Sequence, residues 1–237
     1  MPSVNYLTRT QTIAESEYFV KLLLYGPPGV GKTRFCADAP KPIWFDVERS
    51  AETFRRIPEL AEQKFLVPET FDEMFDFAKQ IVKDKAYETI VIDTIGQAQD
   101  NNIRQYLETE TNHGAKRSKY LALWADYRIS TEMLSAFFQF LQDSPIHVIL
   151  IAHDKEEIHP ETKNIVRIRP DLTPALAKGI TGLVNVVAYM ETTSTPTGAI
   201  TRKLTVNPIG KIIAKNRLNI QEPTIKEPNF KEIFLND

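Results

Sequence analysis

Residues 26–33 read GPPGVGKT and carry the most specific chemical pattern in the sequence. The pattern fits G-x-x-x-x-G-K-[ST] and lies between a predicted strand and a predicted helix, which is the context such a loop requires. Glycines let backbone N–H groups surround phosphate oxygens, and the helix N-terminus adds positive potential. The alternative is a Gly/Pro turn that ends in Lys-Thr by chance. The pattern predicts a nucleotide-phosphate site made of Gly26, Pro27, Pro28, Gly29, Val30, Gly31, Lys32, Thr33 and Arg34.

A triphosphate site also needs a metal ligand. Lys32 can follow the γ-phosphate into the transition state, and the Thr33 hydroxyl can bind Mg²⁺. The run TIVID ends in Asp93, which matches the second Walker signature and places a carboxylate at the end of a buried strand. Asp93 is therefore predicted to hold Mg²⁺, directly or through water, opposite Thr33. The alternative is an aspartate that caps the next turn.

Hydrolysis further requires a group that orients water. Asp46 and Glu48 follow the run PIWF, and we predict Glu48 as the base with Asp46 in support. The alternative is that both are solvent-facing carboxylates at a helix start. His153 closes a later core strand, where its imidazole could contact the γ-phosphate and report hydrolysis to the next segment. A simple surface histidine is the alternative there.

Basic residues are grouped in three segments of a chain whose formal net charge is −2. The first segment contains Lys215 and Arg217, which lie on one side of a strand if the strand continues and could reach the phosphates of an adjacent subunit. The other two segments form a candidate single-stranded-DNA surface. Scattered solvated side chains are the alternative. The candidate DNA contacts are Lys116, Arg117, Lys119, Arg167, Arg169 and Lys178.

The elements that must position these residues alternate between short apolar runs and helical periods, which predicts an α/β domain with a largely parallel sheet. Apolar residues at helical spacing predict one long amphipathic helix from about 120 to 141, with Tyr120, Leu123 and Trp124 on its apolar face. A mostly polar helix from about 96 to 110 is expected at the surface. The later part of the chain predicts antiparallel strands, with a hairpin at 156–170 and strands near 199–206 and 210–214.

Composition excludes several classes of protein. The chain has 237 residues, 42% hydrophobic and 25% charged, which is typical of a globular domain. No apolar run reaches the length of a membrane helix, and no signal peptide is recognisable. The one cysteine, Cys36, excludes an internal disulfide framework. These features predict a cytoplasmic protein with no membrane partner.

In the order GPPGVGKT, FDVE, TIVIDT, VILIAH and KNR, the motifs resemble the RecA-type core of P-loop ATPases. Within that group the chain looks most like short, phage-encoded RecA-core proteins that promote single-strand annealing. The likeness covers about 19–218. It implies a RecA-like α/β fold with a mixed, mostly parallel sheet flanked by helices and antiparallel strands added toward the C-terminus. It also implies ATP and Mg²⁺ as cofactors.

The resemblance assigns roles position by position. Lys32 and Thr33 match the phosphate and Mg²⁺ ligands, Asp93 the metal-side carboxylate, and Glu48 the water-activating glutamate. His153 falls at the γ-phosphate sensor, where the recombinase itself has an amide side chain. Lys215 and Arg217 match a pair that such proteins insert across a subunit boundary. The DNA-binding loops would lie around 111–119 and 163–182, although neither shows the glycine-rich pattern of the full-length recombinase.

We therefore predict one RecA-like ATPase domain over 19–237, preceded by an extension, 1–18, that could serve oligomerisation. The predicted function is ATP-dependent binding of single-stranded DNA for annealing or strand pairing in phage recombination. The expected partners are single-stranded DNA, further copies of the chain and a single-stranded-DNA-binding protein in the bacterial host cytoplasm. Alternatives are a helicase-like motor or helicase-loading ATPase, a small-molecule P-loop kinase, and a nucleotide-switched scaffold.

Overall fold

The computed structural model describes residue 12 and residues 16–112, 118–194 and 198–235. Most of the predicted N-terminal extension lies outside these residues. The strands, numbered along the chain, are β1 (Lys21–Tyr25), β2 (Pro42–Asp46), β3 (Lys64–Leu66), β4 (Thr89–Asp93), β5 (His147–Ala152), β6 (Asp154–Ile158), β7 (Ile165–Pro170), β8 (Val186–Ser194), β9 (Ile200–Thr205), β10 (Lys215–Asn216) and β11 (Thr224–Lys226).

Helices connect the strands and cover both faces of the sheet. They are α1 (Lys32–Ala37), α2 (Ala51–Phe54), α3 (Pro58–Ala61), α4 (Phe71–Asp84), α5 (Ile95–Asn112), α6 (Trp124–Asp143), α7 (Pro174–Leu183) and α8 (Phe230–Phe234). Among the described residues, no helix is long and apolar enough to cross a membrane.

The central strands run parallel. Among the described residues, nine strands form one sheet in the order β11-β9-β8-β1-β5-β4-β2-β3, with β10 paired to β8. In the parallel part Tyr25 is level with Ala152, and Asp46 is level with Asp93. We call the edge at which β1, β2, β4 and β5 end the carboxyl edge. Because helices cover both faces, these strands are buried along their length and read as continuous apolar runs.

Two hydrophobic clusters lie on opposite faces of the sheet. The first joins inward residues of α4, α6 and α7 to one face and includes Phe71, Phe137 and Leu176. The second joins α1, α3 and α8 to the other face and includes Phe35 and Phe230. Helices on both faces are what a doubly wound α/β domain requires.

The antiparallel strands expected toward the C-terminus are present, so the predicted mixed sheet is confirmed. β9 pairs antiparallel with β8, and β11 with β9. The hairpin predicted at 156–170 forms a separate two-stranded sheet of β6 and β7. The strand predicted at 210–214 is wrong, since Ile212 makes only isolated bridges and the strand lies at β10. The segment turns at Gly210, whose φ of 56° does not suit an extended strand.

Two helix predictions are also corrected. α5 is not wholly at the surface, because Ala98, Ile103 and Leu107 are buried together with the polar Gln99 and Asn102. Its other polar side chains include exposed ones, so the helix has one buried and one exposed side. The long amphipathic helix begins only at Trp124. The first two aromatic residues predicted for its apolar face are instead exposed, Tyr120 at 87% and Trp124 at 79%, whereas Phe137 and Phe138 are buried as predicted.

α8 was not predicted, and it fills the second cluster. Phe230 is fully buried, with ring centroids 5.0 Å from Phe234 and 5.9 Å from Phe35. We expect Phe230→Ala to lower the free energy of unfolding by about 3–5 kcal/mol, because it leaves a cavity beside α1. Urea unfolding measures this loss. Phe65→Ala, at a half-exposed phenylalanine on β3, is the matched control and is expected to cost less than about 1 kcal/mol. Equal losses in the two variants would contradict this packing.

Candidate functional site

The phosphate loop, residues 26–33, connects β1 to α1 at the carboxyl edge. Gly26 has φ 154° and Gly31 has φ 100°, in the region that glycine adopts most readily. A Cβ added to Gly26 would lie 2.1 Å from the carbonyl oxygen of Met190, so β8 leaves no room for a side chain there. Val30 is buried in the second cluster and anchors the loop from below.

Lys32 is the buried cation of this loop. Its Nζ donates hydrogen bonds to the carbonyl oxygens of Gly26 at 2.7 Å and Pro27 at 2.9 Å. Burial lowers the pKa of Lys32, and the nearby charge of Asp93 opposes that shift. Phosphate oxygens would replace these neutral acceptors with anionic ones and would stabilise the ammonium. The cradle therefore fits a nucleotide phosphate.

Thr33 and Asp93 face each other as predicted. The Thr33 hydroxyl lies 3.5 Å from Oδ2 of Asp93. Burial raises the pKa of Asp93 to about 7, the negative charge of Glu48 adds to this, and Lys32 opposes it. A hydroxyl and a carboxylate are hard oxygen donors of the kind Mg²⁺ prefers. The pair fits a magnesium site and would gain a compensating charge from the ion.

Glu48 and His153 are brought together, although they are distant in sequence. Nε2 of His153 donates to Oε1 of Glu48 at 3.1 Å, and the Thr94 hydroxyl donates to the same oxygen at 2.7 Å. The backbone N–H groups of Val47 and Glu48 both donate to the carbonyl of Asp93, at 2.9 and 3.2 Å. The carboxylate is thus fixed beside Asp93, and its role as a water-orienting base stays a prediction. Thr94 was missed, and its one signal was its place directly after the strand-end aspartate.

Asp46 has a different environment from Glu48. It is buried, and its oxygens accept hydrogen bonds from the N–H groups of Ser50 at 2.9 Å and Ala51 at 2.8 Å. These bonds hold the start of α2. The structure therefore places Asp46 at a helix start, although it is not solvent-facing as that alternative supposed, and its contacts do not orient a water.

With this geometry in view, comparison with protein-family models matches residues 19–218 to a family described as AAA domain. The chain belongs to this AAA domain family. A comparison with curated proteins found no significant match. The family confirms the predicted P-loop ATPase core. The narrower likeness to phage annealing proteins stays a prediction.

Two solved structures are similar to this chain over most of its length. A KaiC-like protein from the hyperthermophilic archaeon Pyrococcus horikoshii OT3 is 14% identical with a TM-score of 0.49, over 87% of this chain and 83% of that one. The flagellar accessory protein FlaH from Methanocaldococcus jannaschii is 10% identical with a TM-score of 0.47, over 87% of this chain and 84% of that one. At these identities the likeness concerns the fold alone.

Arg34 of the AAA domain was included in the phosphate site by position. Its guanidinium is half-exposed and lies 3.7 Å from the carboxylate of Glu59 on α3. Pro28 and Gly29 form the exposed tip of the phosphate loop. The structure thus brings together Lys32, Thr33 and Asp93 and directs the side chain of Arg34 toward α3.

Lys215 and Arg217 lie at the opposite edge of the sheet from the phosphate loop. Lys215 is level with Val187 near the start of β8, and its Nζ donates to the carbonyls of Thr181 at 2.5 Å and Val184 at 2.7 Å at the end of α7. The N–H of Arg217 donates to the carbonyl of Asn185 at 3.0 Å. This pair cannot reach its own phosphate loop, so a role at a neighbour's nucleotide stays a prediction.

The predicted DNA-binding residues that the structure describes lie on three different segments of the chain. Arg169 donates to Glu157 at 2.5 Å and to the carbonyls of Pro170 and Leu172, so several of its donors are used within the chain. The remaining described ones, Arg167, Lys178 and Lys119, are exposed on β7, on α7 and before α6. Lys116 and Arg117 lie outside the described residues.

Sequence reasoning missed an exposed apolar surface next to Lys119. We call it the aromatic surface, and its members are Tyr120, Leu121, Leu123, Trp124 and Tyr127. It adjoins a cavity of about 530 Å³ whose lining includes Glu48, His153, Tyr127 and Arg169. This cavity extends from Glu48 and His153 to Tyr127, near the start of α6.

Asp93 gives a pH-dependent prediction. In the nucleotide-free protein its pKa is about 7, against 3.8 for an ordinary aspartate, so the folded state binds the proton more tightly. The stabilisation is complete below pH 4 and is lost as the pH rises through 7. We expect Asp93→Asn to raise the free energy of unfolding at pH 8 by roughly 1–4 kcal/mol, to change it little at pH 4, and to weaken magnesium-dependent nucleotide binding.

Urea unfolding at the two pH values, followed by calorimetric titration with MgATP at pH 8, measures these effects. Asp46→Asn is the control, because it removes one of two acceptor oxygens at the start of α2. We expect it to destabilise the protein by about 1 kcal/mol at pH 8. An Asp93→Asn variant less stable than the wild type at pH 8 would contradict the raised pKa.

Proposed function

We propose that this AAA domain is an ATPase that hydrolyses ATP with Mg²⁺ when it binds single-stranded DNA. It would act as a homo-oligomer that promotes annealing or strand pairing, as the resemblance to phage recombination proteins implies. A single-stranded-DNA-binding protein in the host cytoplasm is a further expected partner. The observation that carries the proposal is the cavity shared by the Glu48–His153 pair and Tyr127 of the aromatic surface.

The nucleotide half of the proposal rests on the carboxyl edge. The phosphate loop amides and Lys32 would hold the β- and γ-phosphates, and Thr33 with Asp93 would hold the metal. When bound, Mg²⁺ would neutralise charge that develops on the phosphate oxygens. Glu48 would orient water toward the γ-phosphate, and Thr94 and His153 fix its carboxylate for that task.

The DNA half of the proposal rests on the aromatic surface. Trp124 is 79% exposed and Tyr120 is 87% exposed, and Nζ of Lys119 lies 5.1 Å from the centre of the Tyr120 ring. Proteins that bind single strands without sequence preference combine positive charge with aromatic rings on which bases stack. A chain with net charge −2 would use such a local surface rather than its overall charge.

The shared cavity supports coupling between the two halves. His153 donates to Glu48, and its carbonyl accepts the N–H of Asp171 at 2.9 Å, on the segment that leads from β7 to α7. DNA that displaced this segment would move His153 and, through it, the carboxylate that orients water. A loop that becomes ordered when the γ-phosphate is bound is a known kind of switch in P-loop proteins.

Oligomerisation is proposed from the opposite edge of the sheet. Since Lys215 and Arg217 lie away from their own phosphate loop, only a neighbouring subunit could bring them to a nucleotide. Arg217 is exposed there. The hydrogen bonds of Lys215 to α7 would have to be exchanged for phosphate contacts, so Arg217 is the better placed of the two.

A second candidate function is favoured by the size of the same cavity. About 530 Å³ beside the γ-phosphate position would accommodate a small acceptor molecule, as in a small-molecule P-loop kinase. A helicase-like motor or a helicase-loading ATPase with the same core would also respond to DNA, but it would additionally separate or load strands.

The test measures phosphate release with and without an oligothymidine strand. We expect stimulation by the single strand and little by a duplex of the same length. Trp124→Ala is expected to weaken DNA binding about 10-fold while keeping the DNA-free rate, because one stacking contact is lost. Trp124→Phe should restore most of the affinity. Phe65→Ala removes another half-exposed ring, on β3, and should behave as the wild type.

Three results would contradict the proposal. Absence of DNA stimulation in the wild type would remove the DNA half. Equal DNA affinity of Trp124→Ala and the wild type would remove the aromatic surface from the site. Transfer of phosphate from ATP to a small molecule in place of water would favour the kinase.

A further inference from the structure

Arg202, on β9, lies directly against the phosphate loop. A Cβ added to Gly31 would lie 2.6 Å from Nε and 3.1 Å from Cδ of Arg202. Because Gly31 has no side chain, the Cδ and Nε atoms of Arg202 occupy the space that a Cβ would need. The contact joins the loop to a strand more than 160 residues further along the chain, as the residue numbers show.

The Nε group of Arg202 is buried and has no hydrogen-bond partner among the described residues. A buried N–H donor without an acceptor is unusual in a folded protein. The side chain as a whole keeps 31% of its surface exposed, so the guanidinium lies at the edge of the loop rather than in the core. A ligand oxygen at the phosphate loop would supply the acceptor that this donor lacks.

Glu227 contacts Arg202 through hydrogen bonds and an ion pair. The two residues exchange backbone contacts, since the N–H of Glu227 donates to the Arg202 carbonyl at 2.9 Å and the N–H of Arg202 donates to Oε1 of Glu227 at 2.8 Å. The charged groups are less close, with Nη1 3.7 Å from Oε2. That separation is an ion pair without a hydrogen bond, so the guanidinium keeps donors to offer.

The position of β9 decides which end of a nucleotide Arg202 meets. β1 carries the phosphate loop, with β5 and β4 on one side and β8 and β9 on the other. The proposed γ-phosphate end is marked by Asp93, the last residue of β4, and by His153, which directly follows β5. Arg202 approaches the loop from the other side and therefore meets the end nearer the nucleoside.

We infer that Arg202 is a nucleotide-binding residue of the same subunit, which contacts the α-phosphate or ribose, and that Glu227 competes with the nucleotide for it. The inference rests on the proposed function, because it needs a nucleotide in the phosphate loop. Binding would give the buried Nε an anionic or hydroxyl acceptor and would draw the guanidinium away from the carboxylate. A planar guanidinium offers several N–H groups to phosphate oxygens at once, whereas lysine offers a single ammonium.

The test measures ADP and ATP affinity by calorimetric titration with Mg²⁺. Arg202→Ala is expected to weaken both nucleotides by a similar factor, roughly 10- to 100-fold, because the contact lies away from the γ-phosphate. The turnover rate at saturating ATP should stay within about 3-fold, while KM rises. Arg202→Lys should recover part of the affinity.

Two further variants separate binding from folding. Glu227→Gln keeps an oxygen for the N–H of Arg202 but removes the competing charge, so it should tighten both nucleotides several-fold. Lys203→Ala removes a neighbouring cation from β9 that is level with Glu191 on β8, and it should leave both affinities unchanged. Thermal unfolding without nucleotide should be similar for Arg202→Ala and the wild type.

The outcomes are distinguishable. A folded wild type that binds neither nucleotide overturns the proposed function and this inference together. A wild type that binds both, with Arg202→Ala binding them equally well, overturns the role of Arg202 alone. Loss of ATP binding with ADP binding unchanged would move Arg202 to the γ-phosphate and would contradict its assignment to the nucleoside end. Weaker binding by Glu227→Gln would contradict the competition.

Discussion

Four parallel strands end at the same level of the sheet, and the rest of this protein depends on that alignment. Because β1, β2, β4 and β5 end at one edge, the phosphate loop, Glu48, Asp93 and His153 meet there despite wide separation in sequence. The N–H groups of Val47 and Glu48 both bind the carbonyl of Asp93, so the register is also fixed beyond the strands. A slip of one residue would turn each side chain to the opposite face. The chemistry of the site is therefore a consequence of the pairing of the sheet.

Local sequence was sufficient where local physics decides the structure. The buried strands read as apolar runs, and the phosphate loop needs its glycines whatever surrounds it. α8 could not be predicted, because its five residues show no helical period and Phe230 is buried by rings distant in sequence, among them Phe35 on α1. The helical spacing predicted that Trp124 lies in the core, because such spacing reveals an apolar face but does not show whether another element covers that face. Arg202 has no local signal and Thr94 only its place after Asp93, since the contacts of both exist only after the sheet has formed.

The site keeps charged groups in an environment that disfavours them. Burial lowers the pKa of Lys32 and raises that of Asp93 to about 7, and each is only partly compensated by the other. The buried Nε of Arg202 is a third group without a compensating partner among the described residues. Three such costs at one loop are expected where a substrate supplies the missing charges. In the core, by contrast, the polar Gln99 bonds to Thr173 at 3.2 Å. Binding of an anion and a metal would return the stability given up at the carboxyl edge.

The central claim is that the phosphate loop binds a triphosphate through its amides and Lys32. Equilibrium dialysis with labelled ATP, with and without Mg²⁺, tests it most directly on the wild type, on Lys32→Ala and on Lys41→Ala, whose side chain is 70% exposed at the start of β2. We expect one magnesium-dependent ATP site per chain, ATP binding at least about 10-fold weaker in Lys32→Ala, and unchanged ATP binding in Lys41→Ala. Folded wild type that takes up no ATP, or a Lys32→Ala variant that binds as tightly as the wild type, would contradict it.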